Sequence, residues 1–361
     1  MRKDWEYKKF EDVFNLQMGK TPDRKNYDLF QGSNIWVSIR DLRDKYISSS
    51  NEYISDKAAS NIKVVPKGTV IMSFKLSIGK CAIAAKDLYT NEAIMAFNIK
   101  DGHDIDSSFL YYYLQGYKWA NANKAVMGIT LNKAIISEHI IGIPPKPTQL
   151  AIVAELDKIN ELIQLKKQQL KDYDQLAQSI FYEMFGDPVE NEKGWEVKKL
   201  GEVCDLKAGK AIKANELSND NPYPCYGGNG IRGYINRCSH VESSPIIGRQ
   251  GAYCGTVNFA EAPFYATEHA VVVRGKQDMQ IKWLYYTLVN LKLTRYAKGQ
   301  AQPGIAVSSL NELVIIPLPP LPLQQQFAAR IEAIERQKQQ VSETIKDLET
   351  LLASRMQYWF D

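Results

Sequence analysis

The sequence predicts an α/β (α+β) fold made by internal duplication: two mixed α/β halves, each followed by a long helix, the two helices closing on each other as an antiparallel, pseudo-twofold coiled coil. Three observations predict it. Residues 149–185 carry apolar positions at alternating steps of four and three, the seam of a coiled-coil helix. A second such seam closes the chain, each position 175 residues after its counterpart. The stretch WEYKKFEDVFNLQMGK, opening at Trp5, returns as WEVKKLGEVCDLKAGK at Trp195.

In chain order, the two openings share Trp5/Trp195, Glu6/Glu196, Lys8/Lys198, Lys9/Lys199, Val13/Val203, Leu16/Leu206, Gly19/Gly209 and Lys20/Lys210 at an offset of 190. The offset then falls. Ile71, Gly79, Tyr89 and Glu92 match Ile247, Gly255, Tyr265 and Glu268 at 176, and Leu110, Tyr111, Tyr112 and Leu114 match Leu284, Tyr285, Tyr286 and Leu288 at 174. The ends of each half are in register while the interiors differ in length.

Residues 33–39, 69–74, 81–85 and 93–99 read as strands of the first half and 107–119 as an aromatic-rich helix. Residues 244–248, 255–259 and 269–273 with a helix at 280–292 read likewise in the second. Ile143-Pro144-Pro145-Lys146-Pro147 and Leu318-Pro319-Pro320-Leu321-Pro322 suit stiff extended lead-ins, each long helix beginning after the last proline. Gly186 and Pro188 stop the first of them. The expected partition is 1–147, 148–186, 187–322 and 323–361: half, helix, half, helix.

The seam of the first helix comprises Ile152, Leu156, Ile159, Ile163, Lys166, Leu170, Tyr173, Ala177, Ile180 and Met184; that of the second comprises Phe327, Ile331, Ile334, Lys338, Val341, Ile345, Leu348, Leu352, Arg355 and Trp359. Lys166 and Lys338 are its polar members. Such residues either fix register or lay their stems along the seam edge with the charge in water.

Composition is that of a soluble globular protein, 45% hydrophobic and 24% charged, with a net charge of +4. The charge is uneven: residues 1–145 carry +4, residues 188–317 carry +3, and the helical stretches offset this with −3. Basic charge in the two halves points to an anionic partner. Five cysteines without framework spacing, and no leader-like N-terminus, fit a reducing cytoplasm. No segment approaches the roughly 18–20 apolar residues of a membrane span.

No catalytic constellation emerges. The phosphate cradle Gly-x-x-x-x-Gly-Lys-Ser/Thr is missing. Asn221-Pro222-Tyr223-Pro224 has proline in the wrong place for the box of DNA amino-methyltransferases. Cys225, Cys238, His240 and Cys254 lack the Cys-x-x-Cys pairs of zinc sites, so neither a metal nor another cofactor is expected in this chain. What the halves do carry is basic and amide side chains in polar loops beside aromatics, a pattern that suits phosphates and base edges. Lys20, Arg40, Lys75 and Lys80 are the candidates in the first half; Lys210, Arg232, Arg249, Gln250 and Tyr253 are those of the second.

These openings, with YPCYGGNGIRGY at Tyr223, MFGDP after the first long helix and GQAQPGIAVSSLNELVIIPLPPLPLQQQ at Gly299, resemble the specificity subunit of Type I restriction-modification systems. The resemblance covers the whole chain. It implies that each half is a target recognition domain reading one half of a bipartite double-stranded DNA site. It also implies that the coiled coil sets the spacer and docks modification subunits, two in number. Those partners would bind S-adenosylmethionine, and restriction subunits would use ATP and Mg, leaving this chain a non-catalytic subunit. One departure is that Thr148-Gln149 and Gln324-Gln325-Gln326 stand where the family often has Glu-Gln, from which weaker helix capping is expected. The alternative from another class is a coiled-coil assembly scaffold that binds no DNA. A third, less favoured, is an enzyme with a metal at the Cys/His group.

Overall fold

The computed structural model describes residues 2–117, 119, 123–125, 128–276, 278–299 and 302–360, with the side chains of 123–125 and 128–130 left aside. Lys118 of the expected helix and Gln300-Ala301 of the quoted motif therefore lie outside the described residues. The chain divides into two compact units, one of Met1–Lys166 with Thr344–Asp361 and one of Lys167–Glu343. Each long helix contributes residues to both.

The first unit is built on a five-stranded sheet, in the order Phe14–Met18, Ile94–Ile99, Val70–Ser73, Cys81–Ala84, Tyr46–Ile47. Its central strands are apolar on both faces because both are covered. Val70, Met72, Met95 and Phe97 face a core closed by the helix Ser107–Gly116, whereas Ile71, Ile94 and Ala96 face a second core with Val37, Leu42 and Ile47. Successive residues of a strand point to opposite faces, so one apolar run serves both. A smaller sheet joins Asn34–Val37 to Glu52–Ile54 and, in parallel, to Tyr89–Thr90.

The second unit repeats this plan. Cys204–Ala208, Ala270–Gly275, Ser244–Gly248 and Val257–Ala260 form a four-stranded sheet. Val271, Val273 and Ile247 face the helix Ile281–Asn290, while Ile246, Val272 and Ala270 face Tyr226 and Phe264. Its small sheet pairs Tyr223–Gly227 with Gly230–Ile235 as a tight hairpin, and with Tyr265–Ala266 in parallel. The matching strands of the first unit are separated by residues 38–51, which is where the lengths of the two halves part. In both units the opening strand, Glu6–Lys9 or Val197–Lys199, pairs antiparallel with the strand just before a long helix, Ile140–Ile143 or Ile315–Pro317.

The long helices are Lys146–Phe185 and Leu321–Phe360. They begin one residue before the last proline of each lead-in, which corrects the expectation that they begin after it. Pro147 and Pro322 sit in the first turn, where a backbone N–H has no helical partner and a proline loses nothing. The carbonyls of Pro145 and Pro320 accept the first amides, from Thr148 at 2.9 Å and Leu323 at 3.0 Å.

Within each unit the helix segments run antiparallel. In the second, Asp174 takes the ammonium of Lys338, and Phe181 and Phe185 meet Phe327 edge-on at 5.7 and 5.3 Å between ring centroids. In the first, Glu155 accepts from the Arg355 guanidinium and, at 3.0 Å, from the Trp359 indole N–H. Ile152, Leu156, Ile159, Ile163, Ala177, Phe327, Ile331, Ile334, Val341 and Ile345 are buried, and Leu170 and Leu348 half-buried. Towards its end the first helix buries Phe181 and Phe185 more deeply than Ile180 and Met184. A straight helix drifts about 20° per heptad against a 3.5-residue repeat, so the buried face passes to the next residue.

Candidate nucleic-acid interface

Both units place the Gly-Lys of their opening stretch against the short parallel strand of the small sheet. A β-carbon on Gly19 would stand 2.1 Å from the carbonyl oxygen of Thr90, and one on Gly209 2.0 Å from that of Ala266. Only glycine permits such an approach. The Lys20 amide then donates to Thr90 O at 2.8 Å and the Lys210 amide to Ala266 O at 3.1 Å. Both lysine side chains are exposed, and Glu92 and Glu268, each two residues after the strand residue that accepts the lysine amide, occupy the same place in the two units.

In the first unit the loops around this point form an open cleft of 890 Å³ lined by Arg24, Arg40, Arg43, Asn51, Leu76 and Glu92 among others. Arg24 lies over Phe30 and Trp36, its guanidinium carbon 4.6 and 4.9 Å from the ring centroids, and donates to Glu52 at 3.1 Å. Asp41 fastens the base of the loop by accepting from the Ser38 and Asn51 amides at 2.8 and 2.9 Å. Burial raises the Asp41 carboxyl, and these amide bonds with the two side chains bring it below its ordinary value. Burial likewise raises Glu92; the Thr21 hydroxyl, its own backbone amide, Lys75 and Arg24 outweigh that and keep it acidic. Lys20, Lys75 and Lys80 do not line the cleft. Lys80 stands exposed at the base of the hairpin whose tip is Leu76, its amide donating to Ser73 Oγ at 3.1 Å. Leu76 itself is 62% exposed, with φ of 62°.

In the second unit the hairpin tip docks on the loop after Ser244–Gly248. A β-carbon on Gly248 would lie 2.2 Å from Gly228 O. The contact brings the Arg249 loop beside the hairpin that carries Arg232, whose aliphatic stem covers Gly227. Arg249 is half-buried; its amide donates to His269 O at 3.1 Å and its carbonyl accepts from the Ile305 amide at 2.9 Å. Gln250 and Tyr253 are exposed. Next to them His269 Nε2 stands 3.2 Å from Glu268 Oε1. Arg249 Nε, Thr267 Oγ1, Glu268 Oε2, His269 Nδ1 and Asn258 Nδ2 have no hydrogen-bond partner among the described residues. Buried polar atoms in folded proteins are nearly always paired, and five unpaired ones fall in this part of the second unit.

The sequence reading missed Arg24, Arg43 and Asn51, which enter the cleft through contacts distant in sequence. It noted Glu92/Glu268 only as a repeat match and set His269 aside as structural. The common Tyr-x-x-Glu spacing was the available signal. Of the suggested metal group, Cys225 and Cys254 are buried and His240 stacks on Phe264 at 4.8 Å. No group of three or more His, Cys, Asp or Glu suited to a metal occurs among the described residues. No described helix is long and apolar enough to cross a membrane.

A family model described as the Type I restriction modification DNA specificity domain matches residues 2–172 and again 192–350. The specificity subunit of the type I restriction enzyme EcoprrI of Escherichia coli is 31% identical, over 92% of this chain and 88% of that one. The MjaIX specificity subunit of Methanocaldococcus jannaschii is 26% identical over 92% and 87%. Among solved structures, the S subunit of the type I restriction-modification system of M. genitalium superposes with a TM-score of 0.57 at 17% identity, covering 98% of this chain and 95% of the other. A chain solved in work on complex assembly and conformational transition of the type I R-M system gives 0.64 at 20% identity, covering 100% and 98%. At these identities the two structures speak for the fold.

Proposed function

The chain belongs to the family of Type I restriction-modification specificity subunits, and on that premise we propose that each compact unit reads one half of a bipartite duplex target. The observation that carries the proposal is the repeated site. One Gly-Lys turn per unit is docked beside a Glu, with arginines and amides converging from the surrounding loops. Cationic side chains there meet phosphates and hold register, while Arg40, Asn51, Arg249 and Gln250 supply the donors and acceptors that base edges require. Lys20, Lys75, Lys80, Lys210 and Arg232 serve the phosphates, and Tyr253 offers a ring to a base or sugar.

The helices shared by the two units act as the ruler that fixes the spacer and as the seat for two modification subunits. Specificity subunits are generally non-catalytic. Methylation of adenine would be the work of the modification subunits with S-adenosylmethionine, and ATP- and Mg-dependent steps that of restriction subunits. The family carries DNA specificity with it, and a scaffold without DNA recognition has no observation in its favour.

The test is binding of the complex with modification subunits to its own target, found by mapping methyladenine in a host with and without the gene. Affinity for that duplex should fall linearly with the logarithm of salt concentration, as neutralised phosphates release counterions. It should drop to the level of the modification subunits alone when Arg40 and Arg249 are both changed to Ala. Affinity that is indifferent to salt and to both changes would overturn the reading.

A further inference from the structure

Gln149 and Gln324 stand 175 residues apart in the first turns of the long helices, 1% and 4% exposed. Uncharged amides buried this deeply must be paired, and these are. Gln149 Oε1 accepts from the Asp106 amide at 2.8 Å, while Nε2 donates to Asp104 O at 3.0 Å and Pro144 O at 2.9 Å. Gln324 Oε1 accepts from the Gln280 amide at 3.1 Å and Nε2 donates to Pro319 O at 2.8 Å. Asp106 and Gln280 are the N-cap residues of the short helices Ser107–Gly116 and Ile281–Asn290, which floor the main sheets. One glutamine in each unit therefore ties the lead-in, the long helix and the start of the short helix at one point.

A single point leaves rotation free, and each unit has a second. Asn160 Nδ2 donates to Tyr112 Oη at 3.1 Å, and Asp157 Oδ1 accepts from both Tyr112 and Lys45 at 2.5 Å. In the other unit Glu335 accepts from Lys282 at 2.7 Å. Asn160 and Glu335 each lie eleven residues after their glutamine, a spacing that returns to the same helix face after three turns, about 16 Å along the axis. Two pins on one face fix both position and angle.

We propose that Gln149 and Gln324 are positioning residues that set the angle of each recognition face on the helical ruler, and so determine how strictly the spacer length of the target is enforced. The inference rests on the reading of the helices as a ruler. It assigns no base contact to either glutamine: the half-site sequences are read elsewhere, and the pins govern only whether both can be reached at once.

The experiment uses the full complex with modification subunits and measures methylation of duplexes with the native half-sites and a spacer of native length or one base pair longer or shorter. Gln149→Met and Gln324→Met keep the volume and remove the hydrogen bonds; Lys45→Met weakens the second pin at a more exposed pair and keeps the fold if the glutamine variants do not assemble. The expected result is a preference for the native spacer reduced about tenfold, with penalties for altered half-site bases unchanged. A merely structural role would lower all rates together and leave the spacer ratio alone. An unchanged ratio in Gln149→Met, or in Lys45→Met should the former not assemble, overturns the inference. A wild-type complex indifferent to spacer length would instead overturn the ruler itself.

Discussion

Leu76 is a bulky residue with φ of 62° and a side chain 62% exposed at the rim of the arginine cleft. The left-handed conformation costs an ordinary L-residue roughly 1–2 kcal/mol, and an exposed side chain recovers little of that by packing. Leu76→Asn should therefore raise thermal stability, by no more than ~1 kcal/mol, yet weaken DNA binding if the apolar tip meets a thymine methyl or a sugar. Melting curves and anisotropy titrations of the same variant separate the two effects. His139 offers a pH test. Burial among Phe10, Tyr117 and Trp119, with Tyr113 Oη 2.6 Å from Nε2, lowers its pKa to about 4. The unfolded chain, with histidine near ~6.5, takes up the proton first. Stability contributed by neutral His139 is thus complete above that value and declines as pH falls from there towards 4. Urea midpoints at pH 7 and pH 5 should differ more in the wild-type protein than in His139→Gln. At the Glu92 carboxylate the ordinary carboxyl range is shifted downward, so its share of stability is present at neutral pH and lost only in acid.

At the scale of elements, the helices test their own seam. Phe181 is 1% exposed and touches Phe185, Tyr286 and Phe327, so Phe181→Ala should cost about 3–5 kcal/mol. Ile180→Ala, one position away on the strict heptad, should cost clearly less, and chemical denaturation of both distinguishes the drifted face from the ideal one. This also shows where a sequence can be read. The helices were legible because one period persists through Ile152, Leu156, Ile159 and Ile163 and again through Phe327, Ile331 and Ile334. The inner strands Val70–Ser73 and Ser244–Gly248 were legible because burial on two faces leaves an apolar run. Edge strands were not. Three of the four residues of Glu6–Lys9 are charged, and the strand takes its identity from Ile140–Ile143, more than a hundred residues on. Nor was the cleft: Arg24 is one cation in a polar loop until Phe30 and Trp36 are seen beside it, and Gln149, noticed only because the pair Thr148-Gln149 lacks an acid, is a buried pin with two partners, Asp106 and Asp104, 43 and 45 residues upstream.

For the whole molecule, duplication explains the division of labour. The parts held constant between the halves are the opening stretch with its Gly-Lys turn, the Tyr-x-x-Glu beside that turn, the short aromatic helix, the proline lead-in and the glutamine after it. The parts that differ, residues 38–51 against the tight turn at 228–229, border the two candidate surfaces. Loops free to change with the target are thereby set on a frame, the Gly-Lys turn included, that keeps its geometry. Lengthening both long helices by one heptad adds ~10 Å to the ruler, and should lengthen the methylated spacer while the half-site sequences stay as they were. The most direct test of one unit per half-site is replacement of residues 15–140 by the corresponding stretch of a family member with a different target, followed by genome-wide mapping of methyladenine. The account predicts that one half-site changes and the other is retained; a change in both, or in neither, would contradict it.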